Sequence, residues 1–486
     1  MTEDFFRARL DQMIDLRHPL AVLAQRLPWG QIEAVRAPAF GRKERSGRRS
    51  AGEDLFGPTL AISGGGLSAA GRPRLPIRLM AALLYLKHAH NLSDEEVVAR
   101  WAENVVWQYF SGRTHYEPRL PCDATQIGRF RTAIGEAGVE ALLKATIDAA
   151  VRTNAVKPAE FERVIVDSTV QEKVIAHPVD SRLLEIARRK VVQAAKAAGI
   201  AFKQTFAKEG PTLRRKAGGY AHARQFRRLG RTLKRQRTIL GIVIREVGRK
   251  LATAGNASPL ALARVRSLLE RAERIRTQQP KDKGKLYALH APEVECIGKG
   301  KAGKRYEFGV KTGIVVTHRS GLMVGARTFP GNPYDGHVLD RQLAQTTILL
   351  ADTGRVPKQV IVDLGYRGAD KDNPTVEIVH RGKFKSLTAE QRRWLRRRPA
   401  IEPAIGHLKS DHRMDRCHLR GSLGDALHAV LCAAGYNLRW LMRAMLRLGL
   451  AATLLRPLLL CLLGAMLGAL LPARFHTATG DRLRFA

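Results

Sequence analysis

Two aspartates in this 486-residue chain stand in the same local setting. Val164-Ile165-Val166 leads into Asp167, and Val360-Ile361-Val362 leads into Asp363. β-Branched runs of this length favour short buried strands. If the two strands are neighbours, both carboxylates project from one sheet edge, where α/β sheets gather their ligands. Close carboxylates repel and resist joint ionisation. A divalent cation removes that conflict, and hard Mg²⁺ prefers oxygen donors. Two Mg²⁺ ions roughly 4 Å apart, with Mn²⁺ able to substitute, activate an attacking oxygen and stabilise the leaving oxygen of a phosphodiester. Taken singly, either aspartate is better read as a cap on a strand-to-loop turn. The repeated context and the basic surroundings favour the pair as metal ligands.

Such a site needs a third carboxylate. Glu402 lies in Arg398-Pro399-Ala400-Ile401-Glu402-Pro403, with Gly406-His407-Leu408-Lys409 following. Proline is tolerated in the first turn of a helix and not later, so Glu402 belongs near a helix start. Lys409 follows two turns on along the same face. One helix thus offers a metal ligand and an ammonium that could hold a phosphate. Arg398 suits a phosphate as well, through its forked donors.

The elements that must position these residues follow from the pattern. Arg163 to Asp167 reads as a strand ending in an acid. Tyr306, Phe308, Val310 and Thr312 alternate with Glu307, Gly309, Lys311 and Gly313, a strand extended by Ile314 to Thr317. A turn at His318 to Gly321 and a returning strand at Leu322 to Phe329 complete a hairpin. A helix over Gly336 to Leu350 precedes the strand at Gln359 to Asp363. Three strands, a helix and a fourth strand are the opening of an RNase H-like α/β fold. The two aspartates are 196 residues apart (363 − 167), far more than that opening requires. The excess is a basic helical stretch from Ser181 to Thr277, either a solvated surface or a phosphate-contacting hairpin. Asp363 and Glu402 are 39 apart (402 − 363), a direct strand-to-helix connection.

Upstream, residues 1–155 read as helical. Ser93 and Glu96 make a capping box before Val97, Val98 and Trp101, and Asp123 starts a second helix before Ile127, Phe130 and Ile134. Such a pair could form a helix-turn-helix or a small core. Residues 42–75, rich in Gly, Arg and Pro, read as a linker.

Composition names the partner. Lys and Arg number 83 against 44 Asp and Glu, a net charge of +39 that a polyanion would share. Nucleic acid is the expected partner. Five cysteines without a CxxC pair indicate neither a disulfide framework nor a cysteine zinc site. Cys417 with His412 and His418 lacks ligand spacing, so surface histidines are expected there. The N-terminus shows no signal peptide, and a reducing, cytoplasmic setting at the nucleoid fits. Pro457 to Pro472 is almost wholly apolar but short of the ~20 residues of a membrane span. A buried or partner-seeking helix is expected before a membrane anchor.

Together, Asp167-Ser168-Thr169, Asp363-Leu364-Gly365-Tyr366-Arg367-Gly368 and Arg398-x3-Glu402-x6-Lys409 resemble bacterial insertion-sequence DDE transposases. The nearest likeness is to the group named after insertion sequence five. It rests also on Asp167 to Lys173, His177-Pro178, Asp180 to Leu184 and Ile401 to Met414, and covers roughly residues 10–445. The resemblance implies a DDE core in which Asp167, Asp363 and Glu402 bind two Mg²⁺ ions. Arg398 and Lys409 would hold the DNA backbone, and Tyr366 and Arg367 would do likewise. The wider family carries a tyrosine three residues before the arginine, where this chain has Leu395. Trp394 beside it could stack on a flipped base or serve as packing. The expected partners are double-stranded DNA, as terminal inverted repeats and target, and further copies in a homodimer or larger assembly. The expected domains are 1–155, a helical DNA-binding region; 156–180, the first strand and Asp loop; 181–285, the basic insertion; 286–445, the rest of the core; and 446–486, an apolar tail. A metal-dependent nuclease and a DNA-binding protein without chemistry are the rivals.

Overall fold

The computed structural model describes residues 8–36, 48–54, 57–63, 75–251, 258–298 and 305–470. Three short helices, α1 (Leu10–Met13), α2 (Pro19–Arg26) and α3 (Trp29–Arg36), open the chain. The stretch expected as a linker contains an antiparallel ribbon of β1 (Arg48–Asp54) and β2 (Gly57–Ser63), in register from Arg48↔Ser63 to Asp54↔Gly57. Ladder bonds are made by backbone groups, so a Gly- and Arg-rich composition does not announce them.

Next come α4 (Ile77–Ala89), α5 (Asp94–Glu103), α6 (Val105–Phe110) and α7 (Ala124–Arg152). Leu79 through Ala89 are all buried, as a helix apolar on every side requires. Both bonds of the expected capping box form between Ser93 and Glu96, and Asp123 caps α7. Of the two readings offered for this pair, helix-turn-helix or small core, the described residues form a core. Helix α6 separates α5 from α7, and the apolar positions that suggested the motif serve the core.

The sheet has six strands: β3 (Arg163–Glu172), β4 (Glu295–Gly298), β5 (Tyr306–Thr317), β6 (Met323–Phe329), β7 (Gln359–Ile361) and β8 (Glu377–Val379). β3 is central, antiparallel to β5 and parallel to β7, and β7 is parallel to β8. β4 and β6 pair with successive parts of β5. β3 runs five residues beyond Asp167, so this aspartate lies within its strand rather than at its end. Thr169 and Val170 continue the β-forming composition, and the pairing persists to Glu172↔Gly309. A Cβ at Gly309 would sit 1.9 Å from the Gln171 carbonyl oxygen, so only glycine allows this approach.

Between β3 and β4 stand four helices, α8 (Asp180–Ala197), α9 (Glu209–His222), α10 (Phe226–Leu251) and α11 (Pro259–Thr277). They bury their own cluster, including Leu184, Val191, Ile239, Val243 and Ile275. A far larger cluster joins α2 to α7 with the sheet, so the expected boundary near residue 155 falls inside one continuous core. After the sheet hairpin come α12 (Leu339–Leu349), α13 (Ala389–Arg396), α14 (Ile401–Ser410) and α15 (Gly421–Leu470). Helix α15 continues through the expected break at 446, and its side chains from 450 onward lie outside the described residues. Among the residues whose side chains are described, no helix is long and apolar enough to cross a membrane.

Candidate active site

The parallel ladder of β3 and β7 aligns Val164 with Val360 and Ile165 with Ile361, a constant offset of 196 (361 − 165). Asp363 follows Asp167 by the same 196 residues. Register therefore sets the two aspartates level, and equal parity puts their side chains on one face. Val362 keeps the chain on course by donating its N–H to the Val379 carbonyl at 3.0 Å. Each aspartate also holds a nearby amide: Ser168 N donates to Asp167 at 2.8 Å, and Gly365 N to Asp363 at 2.8 Å.

Glu402 arrives from α14. A short 3-10 turn at Arg398–Ala400 leads into that helix, and Glu402 lies in its first turn as the prolines require. Ile401, Ala404 and Leu408 are buried at helical spacing, which turns Glu402 to the adjoining face.

One guanidinium joins the three acids. An Arg398 nitrogen lies 2.8 Å from Asp167 and 3.7 Å from Asp363, and its second terminal nitrogen lies 3.1 Å from Glu402. Side-chain exposure rises from 14% at Asp167 to 39% at Asp363 and 62% at Glu402. The cluster therefore opens toward solvent on the Glu402 side. Arg398 Nε is buried without a hydrogen-bond partner, so the guanidinium is held by its two terminal nitrogens.

One carboxylate that sequence reasoning missed, Asp335, stands nearby. A Cβ on Gly365 would lie 3.0 Å from an Asp363 oxygen and 3.1 Å from an Asp335 oxygen, so these acids flank one backbone point. Lys311 pairs with Asp335 at 3.1 Å. Asp335 sits in an Asn332-Pro333-Tyr334-Asp335-Gly336 turn, a signal that reads as loop chemistry rather than as a ligand. A second missed carboxylate, Glu307, is buried in β5 but lies away from the triad, beyond the Glu172 end of β3.

The remaining expected residues divide. Arg367 is exposed at the surface. Lys409 is not at the triad: it lies 3.3 Å from Glu307 and 3.7 Å from Glu172, at the far end of β3. Two acids already compensate its charge there. Tyr366 is 1% exposed and belongs to the core, so its expected contact with DNA is not available in this arrangement. Burial, reinforced by Asp335, Asp167 and Asp363, raises its phenol well above 10.0 and keeps it neutral. Trp394 is buried under the Arg163 guanidinium, 3.7 Å from its ring centre. Packing, rather than a stacking face open to a base, is its observed role. His412, expected at the surface, is buried and bonds the His88 carbonyl at 2.9 Å, while His418 is exposed.

Two transposase family models match parts of the chain. Residues 56–133 match the family described as "Transposase domain (DUF772)", and residues 272–438 match "Transposase DDE domain". The second match contains Asp363 and Glu402, while Asp167 lies between the two. A Rhizobium meliloti protein described as "Uncharacterized protein ORF8 in nfe locus" is 41% identical over 203 residues, covering 42% of this chain and 85% of that protein. No solved structure matches. The chain belongs to the DDE transposases of insertion sequences, enzymes that act on DNA.

Proposed function

We propose that this chain cleaves DNA at the ends of an insertion sequence and joins those ends to target DNA, as a member of the group named after insertion sequence five. The observation that carries the reading is the convergence of Asp167, Asp363 and Glu402 on a single guanidinium. A place where three carboxylates already share one cation suits hard divalent ions, because every donor is an oxygen. Asp167, Asp363 and Glu402 would hold two Mg²⁺ ions, with Mn²⁺ able to substitute. When bound, the ions supply Lewis-acid polarisation of the phosphate and ease deprotonation of the attacking oxygen.

The chain's own residues then do the positioning. The β3–β7 ladder sets the two aspartates, and α14 sets Glu402 at the solvent side where a duplex would lie. Arg398, displaced from the acids, would take a phosphate oxygen, and Arg367 would hold the backbone beside it. In the first step water attacks the phosphorus at the element's end and the bond to the 3′ oxygen breaks, leaving a 3′-hydroxyl. That hydroxyl next attacks a target phosphorus, and the target's own 3′ oxygen leaves. Both are in-line displacements without a covalent protein intermediate.

The same reading assigns an RNase H-like core to residues 156–180 and 286–445, and DNA binding to 1–155 and the helical insertion. Two copies or more would hold the two element ends together. The test is cleavage and joining of DNA carrying this element's ends, by wild type and by Asp167→Asn and Asp363→Asn. Each variant is expected to lose activity by at least about 10²–10³-fold while still binding DNA. Cutting that persists in chelator, or in both variants, overturns the reading. Free ends without joined product would leave a nuclease.

A further inference from the structure

Helices α4 and α15 cross in the middle of the large core, 344 residues apart in the chain where Cys432 faces His88. The contact is as close as backbones allow. A Cβ at Gly435 would lie 2.5 Å from His88 Cβ and 2.6 Å from its carbonyl carbon. At this crossing three side chains with soft or borderline donor atoms meet. His88 comes from α4, and His428 and Cys432 come from α15, four residues apart and so on one face. One donor atom from each lies within 4.8 Å of the others, and all three residues are buried.

Several features go beyond the packing of neutral groups. Cys432 Sγ is 3.7 Å from His88 Nδ1. That is close to the ~3.6 Å separating a sulfur and a nitrogen bound to one tetrahedral zinc, given Zn–S of about 2.3 Å and Zn–N of about 2.0–2.1 Å. In the metal-free protein the same distance serves as a thiol-to-imidazole hydrogen bond. His428 Nε2 lies 2.8 Å from the Arg413 carbonyl. Donation to that carbonyl puts the proton on Nε2 and leaves the Nδ1 lone pair, the outer-shell arrangement typical of a metal-bound imidazole. The His88 carbonyl is held by His412 at 2.9 Å, which braces the backbone beside the ligand. Three cations stand near the crossing with one acid, Asp94, between them, so a ligand set that brings a thiolate is favoured there. Lys87 and Arg131 both pair with Asp94, at 2.6 and 3.2 Å, and Arg413 donates to the Asn91 carbonyl at 3.2 Å.

We propose that His88, His428 and Cys432 form a binding site for a thiophilic d¹⁰ cation, Zn²⁺ or Cu⁺, that pins α4 to α15. It is separate from the carboxylate cluster and does not depend on the transposition reading. Binding takes the proton from the Cys432 thiol and releases it to solvent, while both imidazoles enter neutral. Cu⁺ with one thiolate adds no net charge to the core and accepts three donors; Zn²⁺ adds one positive charge and prefers a fourth donor. The two ions are therefore distinguishable.

The full-length chain, stripped of metal and reduced, is titrated with Co²⁺ as a spectroscopic stand-in for zinc. In parallel it competes for Cu⁺ against a chromophoric chelator. A zinc site predicts a thiolate-to-cobalt charge-transfer band that saturates at one ion per chain and is displaced by Zn²⁺. A copper site predicts retention of one Cu⁺ without that band. In either case Cys432→Ala loses the signal, Cys417→Ala keeps it, and the bound ion raises the melting temperature of wild type alone. Carboxylates bind cobalt without a sulfur band, so Asp167, Asp363 and Glu402 do not confuse the readout. His428→Ala is a second variant in case Cys432→Ala folds poorly by circular dichroism. Absence of both signals in wild type overturns the proposal, as does their persistence in Cys432→Ala or His428→Ala.

Discussion

At the scale of single residues, Arg398 dominates the site. Its charge sits 2.8–3.7 Å from three acids that would otherwise repel one another. The same charge opposes any cation entering among those acids. Removing it should therefore favour ion binding when DNA is absent. Arg398→Ala is expected to bind Mn²⁺ about tenfold more tightly than wild type, equivalent to ~1.4 kcal/mol. That is a modest share of the Coulomb energy at this separation, because the cluster is open to solvent. DNA cleavage by the same variant should fall, since a phosphate contact is lost. Calorimetric or paramagnetic-resonance titration of Mn²⁺ reads the first effect. Equal or weaker Mn²⁺ binding by Arg398→Ala would show that the arginine does not compete for the acids. The sequence offered Arg398 as a phosphate holder, by residue type and by its place in the Arg398-x3-Glu402-x6-Lys409 resemblance. Its bridging of the acids depends on two strands and a helix meeting, which no local pattern encodes.

At the scale of elements, local signals were readable and non-local ones were not. The β-branched runs before Asp167 and Asp363 marked two real strands, and the capping box at Ser93 and Glu96 marked a real helix start. The end of β3 was misjudged, because pairing with β5 carries it past the acid. Lys409 was placed by helix periodicity, but Glu307, on a strand 102 residues earlier, decides where its charge goes. The α4–α15 crossing left no local trace either, and it has a consequence for acid stability. Burial lowers His90 and His412 from 6.5 to about 4 and His428 to about 3, so all three are neutral in the fold. Below pH 6.5 the unfolded chain takes up protons that the folded chain refuses. Stability should then decrease as pH falls from 6.5 toward 4, by on the order of 3 kcal/mol per histidine over that window. Asp148, raised from 3.8 to about 6 by burial, works in the opposite sense across the same range and offsets part of the loss. Carboxylates with lowered values, such as Asp94, contribute their own loss only near and below their ordinary 3.8. Melting curves between pH 6.5 and 4.5 in chelator should therefore shift downward. Curves that stay level or rise would mean these histidines are not held neutral.

At the scale of the whole molecule, the question is where a net charge of +39 meets DNA. The composition made a polyanion legible, but not which surface receives it. The four insertion helices carry a separate core, so their outer faces are set independently of the sheet. Around the turn between α9 and α10, Arg214, Arg215, Lys216, Arg224, Arg227, Arg231 and Lys234 are exposed. Within the two helices, Glu209 is paired with Arg235 and Glu246 with Lys250, which leaves little acid to offset that run. A surface of one sign repels itself and gains by exchanging its counterions for phosphates. If this hairpin lies along the duplex, replacing Arg224, Arg227, Arg231 and Lys234 by Gln should weaken binding to any DNA sequence alike. Each lost phosphate contact reduces the dependence of log affinity on log salt by about 0.9, so the four together flatten it by up to ~3.6. The exposed positions make no demand on the core, and the fold should survive. Affinities measured over a range of salt concentrations, on element ends and on unrelated duplexes, separate the outcomes. A slope unchanged by the four substitutions would mark the hairpin as a solvated face and move the DNA path to the helices that precede β3.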